Sequence, residues 1–245
     1  MHISGSGHIP AGDYKDKISI SGSGRLDGNV RCIAFSASGS AHCVGDLACT
    51  EDIRVSGSGH FGGNITSKSM TVSGSTHIGG DLTIKEIVRV SGSVKVDGEI
   101  KSGAVHSAGV LKVEKGIEAE EFRAEGAIDC VGLLNAETVD ISMDGRAHSR
   151  VGSVGGGEIR VYLRKSEKSP KRRLPLFSRL VNGGSSDLTV SELVEGDVIA
   201  LEGVKAPTVV GRVVAIGVGC EIGLVQYTEE CEIHPDARVE HCEKI

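Results

Sequence analysis

Tryptophan is absent from the 245 residues, and aromatic side chains make up only 3% of them. A core built around large rings is therefore excluded, and any interior must be filled by small aliphatics. A long hydrophobic run is missing as well. The longest apolar stretch, Val209 to Val225, is interrupted by Arg212 and Glu221 and makes a poor membrane span. Met1 to Pro10 lacks a basic stretch followed by an apolar run, so no secretory leader is read there, and a cytoplasmic setting is expected. None of the seven cysteines forms a CxxC pair, and an odd number cannot all pair within one chain. They read as small buried hydrophobes in a reducing compartment. No Walker A sequence occurs.

What is present is glycine, 35 residues of it, alongside 39% apolar and 24% charged residues. The apolar supply is too large for a disordered chain, and glycine does not recur every third residue as collagen requires. A repeated turn is the remaining explanation. Glycine recurs after a short apolar strand at Gly5, Gly22, Gly39, Gly57, Gly74, Gly92, Gly109 and Gly126, at intervals of 17 or 18. A second column, Gly12, Gly28, Gly45, Gly63, Gly80, Gly98 and Gly116, is usually followed by Asp, Asn or Glu.

Between these columns apolar residues alternate in pairs such as Met70 and Val72, Leu82 and Ile84, Val88 and Val90, and Val94 and Val96. Alternation marks a strand with one buried face. Three such faces in each repeat describe one coil of a three-sided, all-β parallel solenoid. Coils stack about 4.8 Å apart, and their corners draw on Gly, Ser, Asn and Asp. No coil buries its own inward face, so several must stack and the outermost need caps or partners.

The pattern weakens after Glu125 but continues through Ile159-Arg160-Val161. From Arg160 to Leu180 eight basic residues stand against Glu167 alone, a net of +7, which leaves −13 for the rest of a chain whose total is −6. Strand-like text resumes after Gly184. The expected organisation is a β-helix over 1–163, a basic and partly apolar linker or insertion over 164–184, and an acidic β-rich unit over 185–245, either further coils or a small β domain.

Four features bear on function. Gly57-Ser-Gly59-His-Phe-Gly62 fits the dinucleotide fingerprint, but it is one copy of a corner found in every coil and no helix pattern follows, so no nucleotide is expected. The residue three after each first-column glycine forms a basic column: His8, Arg25, His42, His60, His77 and Lys95. Stacking would line these side chains up, either as a stripe for an acidic partner surface or as an exposed polar ladder without further purpose. The parallel column Asp13, Asn29, Asp46, Asn64, Asp81 and Glu99 reads as turn chemistry. In the basic segment, Lys171, Arg172, Arg173 and Arg179 accompany Leu174, Leu176, Phe177 and Leu180, a combination suited to an anionic membrane surface or a partner protein. The acidic remainder argues against nucleic acid. No catalytic set, metal site or cofactor is expected, because Cys, His and carboxylates do not fall in an arrangement that orients a nucleophile and its base.

The recurring text Ile-Arg-Val-Ser-Gly-Ser-Gly-His-Phe-Gly-Gly-Asn (Ile53 to Asn64), Met-Thr-Val-Ser-Gly-Ser-Thr-His-Ile-Gly-Gly-Asp (Met70 to Asp81) and Val-Arg-Val-Ser-Gly-Ser-Val-Lys-Val-Asp-Gly-Glu (Val88 to Glu99) resembles the bactofilin family of bacterial polymer-forming cytoskeletal proteins. The resemblance covers roughly Ile3 to Val161. It implies a right-handed parallel β-helix that polymerises end to end without nucleotide, with itself or with a paralogous bactofilin. Such polymers often lie at the inner face of the cell membrane and serve as scaffolds for cell shape, polarity or motility machinery. The chain departs from the common pattern in lacking a short basic and apolar N-terminal tail and in carrying a large C-terminal extension.

Spacing does not set the hand. Eighteen residues in three hexads would also suit the left-handed helices of trimeric acyltransferases, although intervals of 17 and Ser-Gly-Ser-Gly text argue against them. For a scaffold, the N-terminal face with Ile3, Ile9, Ile18 and Ile20 is the expected polymerisation surface, because open strand edges invite strand addition.

Overall fold

The computed structural model describes residues 1–143, 148–163 and 188–245. Every regular element among them is a β-strand, and the strands pair in parallel as a right-handed β-helix. That hand separates the chain from the left-handed acyltransferase helices. The backbone divides into two compact units, Met1–Glu120 and Glu121–Ile245, so the boundary falls inside the stretch 1–163.

In the first unit the early coils lay down three short strands each, and from Ile65 onward two of them merge across a corner, as in Ile65–Val72, Leu82–Val90 and Glu99–Ser107. The second coil is Ile18–Ile20, Ser23–Leu26 and Val30–Cys32, and the third is Phe35–Ala37, Ser40–Cys43 and Leu47–Cys49. Ile18 lies opposite Phe35 and Phe35 opposite Ile53, so identical inward positions stack. The column Ile18, Phe35, Ile53, Met70, Val88 and Val105 is fully buried. The interval changes from 17 to 18 at bulges: Ser67 pairs with Ile84, whereas Ser69 pairs with Ile87. A bulge takes up one extra residue without shifting the inward set to the wrong face.

Corner chemistry is the expectation for the glycines and for the Asp/Asn column, but the structure shows a different cause. Among the described glycines only Gly12, Gly203 and Gly219 have positive φ. The corner column is glycine because the coils approach too closely for anything else. A Cβ on Gly74 would sit 1.9 Å from the carbonyl oxygen of Gly57, and one on Gly92 would sit 1.9 Å from that of Gly74.

The second glycine column works with the residue that follows it. Asn29 Oδ1 accepts the backbone N–H of Asp46 at 2.9 Å, Asp46 Oδ1 that of Asn64 at 2.8 Å, Asn64 Oδ1 that of Asp81 at 2.8 Å, and Asp81 Oδ1 that of Glu99 at 2.9 Å. Each of these oxygens fills the space of the next coil's missing Cβ, at 2.2 Å for Gly45 and 2.4 Å for Gly63 and Gly80. Gly-Asx is thus one device, a side-chain ladder running from coil to coil.

The same accounting explains Gly57-Ser-Gly59-His-Phe-Gly62. Gly57 is a corner; a Cβ on Gly59 would meet the Phe61 ring at 2.7 Å, and one on Gly62 would meet the carbonyl oxygen of Val44 at 2.8 Å. Phe61 fills the interior that Gly59 vacates and meets Phe35 edge-on, with centroids 5.9 Å apart and planes at 79°. Phe35, Phe61 and Phe122 are all buried in the core.

The second unit is built from longer strands. Ala127–Met143 has 17 residues, Ser149–Leu163 has 15, and Val204–Ile216 and Glu221–Ile233 have 13 each. These strands bend through corners instead of stopping at them. Leu188–Val190 and Leu193–Leu201 pair with Ser149–Leu163, so the described residues of the C-terminal stretch are further coils.

Candidate functional site

The basic column of the sequence becomes a physical column. His8 pairs with Arg25, Arg25 with His42, His42 with His60, His60 with His77, and His77 with Lys95. Lys112 extends it beyond Lys95. Sequence reasoning missed Lys112, although it stands three residues after Gly109 and the same rule would have found it. The neighbouring outward position is Ser6, Ser23, Ser40, Ser58, Ser75 and Ser93, all exposed, so hydroxyls flank the cations along one side.

The column is not uniform in charge. Near its start, Arg25 Nε donates to Asp27 at 3.0 Å and His8 Nδ1 lies 3.3 Å from the same carboxylate. Further along, Lys95 Nζ lies 2.7 Å from Asp97, and His77 Nε2 lies 2.8 Å from it. Hydrogen bonds from Lys95 and then His77 hold Asp97 below the ordinary carboxylate range, and Asp97 in turn raises Lys95.

The middle of the column differs. The His42 and His60 rings stack with centroids 5.0 Å apart and planes at 3°, and His77 meets His60 edge-on at 5.0 Å. Desolvation, then the charge of Arg25, then His60, press His42 below its usual value. The two positions beyond His60 and His77 hold Gly62 and Gly79 where the flanking coil carries Asp97, so the acidic rim is interrupted there. In chemical terms this surface is a hydroxyl-flanked line of basic side chains with three adjacent imidazoles at its centre.

The four isoleucines expected at the polymerisation surface fall into two groups. Ile9, Ile18 and Ile20 are core residues with 0–1% exposure, so their side chains are not offered to a partner. Ile3 is half-buried although it occupies the same inward column as Ile20. The strands His2–Ile3, Ser6–Ile9 and Gly12–Asp13 pair on one side alone among the described residues. At the other extreme, Arg238–Lys244 pairs with Glu221–Ile233 alone. The segment holding Lys171, Arg172, Arg173, Leu174, Leu176, Phe177, Arg179 and Leu180 lies outside the described residues.

The cysteine expectation needs correction. Cys32, Cys43, Cys49, Cys130 and Cys220 are buried, but Cys231 is half-buried and Cys242 is exposed. Burial raises the Cys43, Cys130 and Cys220 thiols to about 11, which keeps them protonated and inert. No group of three or more His, Cys, Asp or Glu suited to a metal ion occurs among the described residues. No helix among them is long and apolar enough to cross a membrane.

These features define a parallel β-solenoid that carries columnar surfaces. No family model matches the sequence, and no solved structure matches it. Two curated proteins of Bacillus subtilis (strain 168) are similar to it. One is the uncharacterized protein YhbF, 33% identical over 116 residues, and the other the uncharacterized protein YhbE, 35% identical over 115. Each match covers 46% of this chain, with 42% of YhbF and 44% of YhbE, so the shared stretch is less than half of either relative.

Proposed function

We propose that the chain is a structural scaffold whose coils stack end to end into nucleotide-independent polymers. One observation supports this reading above the others: inward positions that are sealed within each unit are open in the first and last described coils. Ile20 is 1% exposed while Ile3, in register with it, is half-buried; Val225 is 0% exposed while Cys242, in register with it, is exposed. A second copy, or a paralogous solenoid of the same coil geometry, would cover these positions and pair the free strand edges, both favourable changes. The bactofilin-like repeat text points the same way, towards a cytoskeletal role in shaping the cell or organising its motility machinery. Attachment to an anionic membrane surface through Lys171 to Leu180 belongs to the same proposal.

Electron microscopy of the purified chain without nucleotide is the test. Filaments are expected, and Ile3→Glu should shorten or abolish them while leaving the circular dichroism of the coil unchanged. Particles that stay monomeric at every protein concentration would remove the scaffold reading. Sedimentation with anionic vesicles tests the membrane arm separately. Leu176→Asp combined with Phe177→Asp should release the protein, and equal binding by both forms would exclude insertion.

A further inference from the structure

The outermost described coil carries two thiols that meet. Cys231 stands in register with Val214 and Cys242 with Val225, and both valines are core residues with 0–1% exposure. Both cysteines therefore point into the prism, from different sides of it, and their sulfurs lie 3.7 Å apart. A disulfide spans about 2.0 Å, so side-chain rotation has under 2 Å to close. Cys242 is exposed and Cys231 half-buried, so reagents reach the pair. A second pair, Cys32 and Cys49, is closer still at 3.3 Å, but at 4% and 7% exposure it is sealed in the core. It serves as an internal control that separates contact from access.

We propose that Cys231 and Cys242 form an oxidisable dithiol that takes a small disulfide as its oxidant, forming an intramolecular bond that staples the last strand to the coil beneath it. The exposed Cys242 sulfur attacks one sulfur of R–S–S–R; that bond breaks, and the first R–S⁻ leaves and takes up a proton. Cys231 then loses its proton and attacks the Cys242 sulfur of the mixed disulfide, expelling the second R–S⁻, which is protonated in turn. Two protein thiols are oxidised, one disulfide is reduced to two thiols, and no proton is lost overall. Burial, and next the hydrogen bond with Cys242, push Cys231 up to about 12, which suits the residue that acts second. Glu230, Glu232, Glu240 and Glu243 adjoin the pair in sequence, so a cationic disulfide is favoured over an anionic one. The dithiol belongs to the unassembled chain, because a copy stacked on this end would cover Cys242, and it is therefore tested at a concentration where the chain is monomeric.

The test treats the full folded chain with cystamine, a cationic disulfide, in mildly alkaline buffer. The protein is then acid-quenched, denatured and alkylated for mass spectrometry. Alkylation should fall by two from the seven cysteines, and a non-reducing digest should join the Cys231 and Cys242 peptides. Cys231→Ser should instead retain one cysteamine on Cys242, because the attacking thiol remains and the resolving one is gone. Oxidised glutathione, which is anionic, should react several-fold more slowly than cystamine. Seven alkylated cysteines in the treated wild type, a Cys32–Cys49 link, or a cysteamine adduct that persists on wild-type Cys242 would each overturn the assignment.

Discussion

The two units wind the same kind of strand into the same kind of coil and hold its period by different means. In Met1–Glu120 the corner glycines from Gly22 to Gly109 have their Cβ space taken by a carbonyl oxygen of the preceding coil, and the Asn29, Asp46, Asn64 and Asp81 side chains tie coil to coil. The period there stays at 17 or 18 residues. In Glu121–Ile245 the strands run through their corners and the period wanders. Cys130 pairs with Val151 and Val194 with Val209, intervals of 21 and 15. Close glycine contacts occur in both units, since a Cβ on Gly152 or Gly156 would lie 2.3 or 2.2 Å from a carbonyl oxygen, so the constant coil length of the first unit goes with its side-chain ladder.

Glycine substitutions should separate positions blocked by backbone from those facing a movable side chain most strongly, with Gly156 of the second unit, 2.2 Å from the Ala136 carbonyl oxygen, falling with Gly74. Gly74→Ala asks a Cβ to occupy a backbone oxygen 1.9 Å away, and the cost should reach about 4 kcal/mol or more in chemical denaturation. Gly155→Ala in the second unit meets only the movable Asn135 Oδ1, at 2.9 Å, and should change stability by about 1 kcal/mol or less. Equal losses at the two sites would dissolve the comparison. Next in size is the exchange between Gly59 and Phe61. Phe61→Leu should cost about 1–2 kcal/mol, and adding Gly59→Ala should recover part of it, because the ring that blocked the new methyl has gone.

The side-chain ladder gives a smaller effect with a diagnostic pH dependence. Asn64→Ala removes the acceptor for the Asp81 N–H and should cost about 1 kcal/mol. Asn64→Asp keeps the acceptor but sets three carboxylates in succession, at Asp46, position 64 and Asp81. Its cost should be of similar size, about 1 kcal/mol, at neutral pH and should shrink as acid neutralises them. From Asn29 to Asp81 the alternation of Asn and Asp keeps like charges two coils apart.

The smallest effect concerns His42. Its folded value lies below the unfolded one, so the unfolded chain binds more protons through that range. Stability should therefore decline as pH falls from about 7 to about 5 and level off below the folded value. Asp97, held low by Lys95 and His77, adds a separate loss further into acid, within the carboxylate range. His42→Gln should flatten the first decline and leave the second, as read by thermal melts across pH.

Much of the first unit was legible in its sequence because the two governing signals are local. Alternation marks the inward face, and glycine spacing marks the coil. The reason for the glycines was not legible, since it lies in a neighbour 17 residues away that becomes adjacent only once the register is known. The same limit explains the Asp and Asn column, which resembles turn chemistry until Asn29 is set against Asp46. The basic column could be read from spacing alone, whereas its inequality depends on where Asp27 and Asp97 fall. Ile9, Ile18 and Ile20 were named for an exposed face although they are core, because alternation shows which side is inward and not which coil is last. Cys242 was misread for the same reason in reverse: it has an inward position with nothing stacked beyond it among the described residues.

A stack whose corners fit carbonyl to glycine grows only in whole steps. Removing three or four residues from the first unit would set side chains against backbone oxygens in every following coil. Removing residues 57–73, one full interval, joins Ser56 to Gly74 and leaves all later columns in register. The result should be a folded protein shorter by about 4.8 Å. Length in this unit is therefore a counted quantity, and a gene encoding it can lengthen or shorten the product by duplicating or losing a coil while keeping the backbone register.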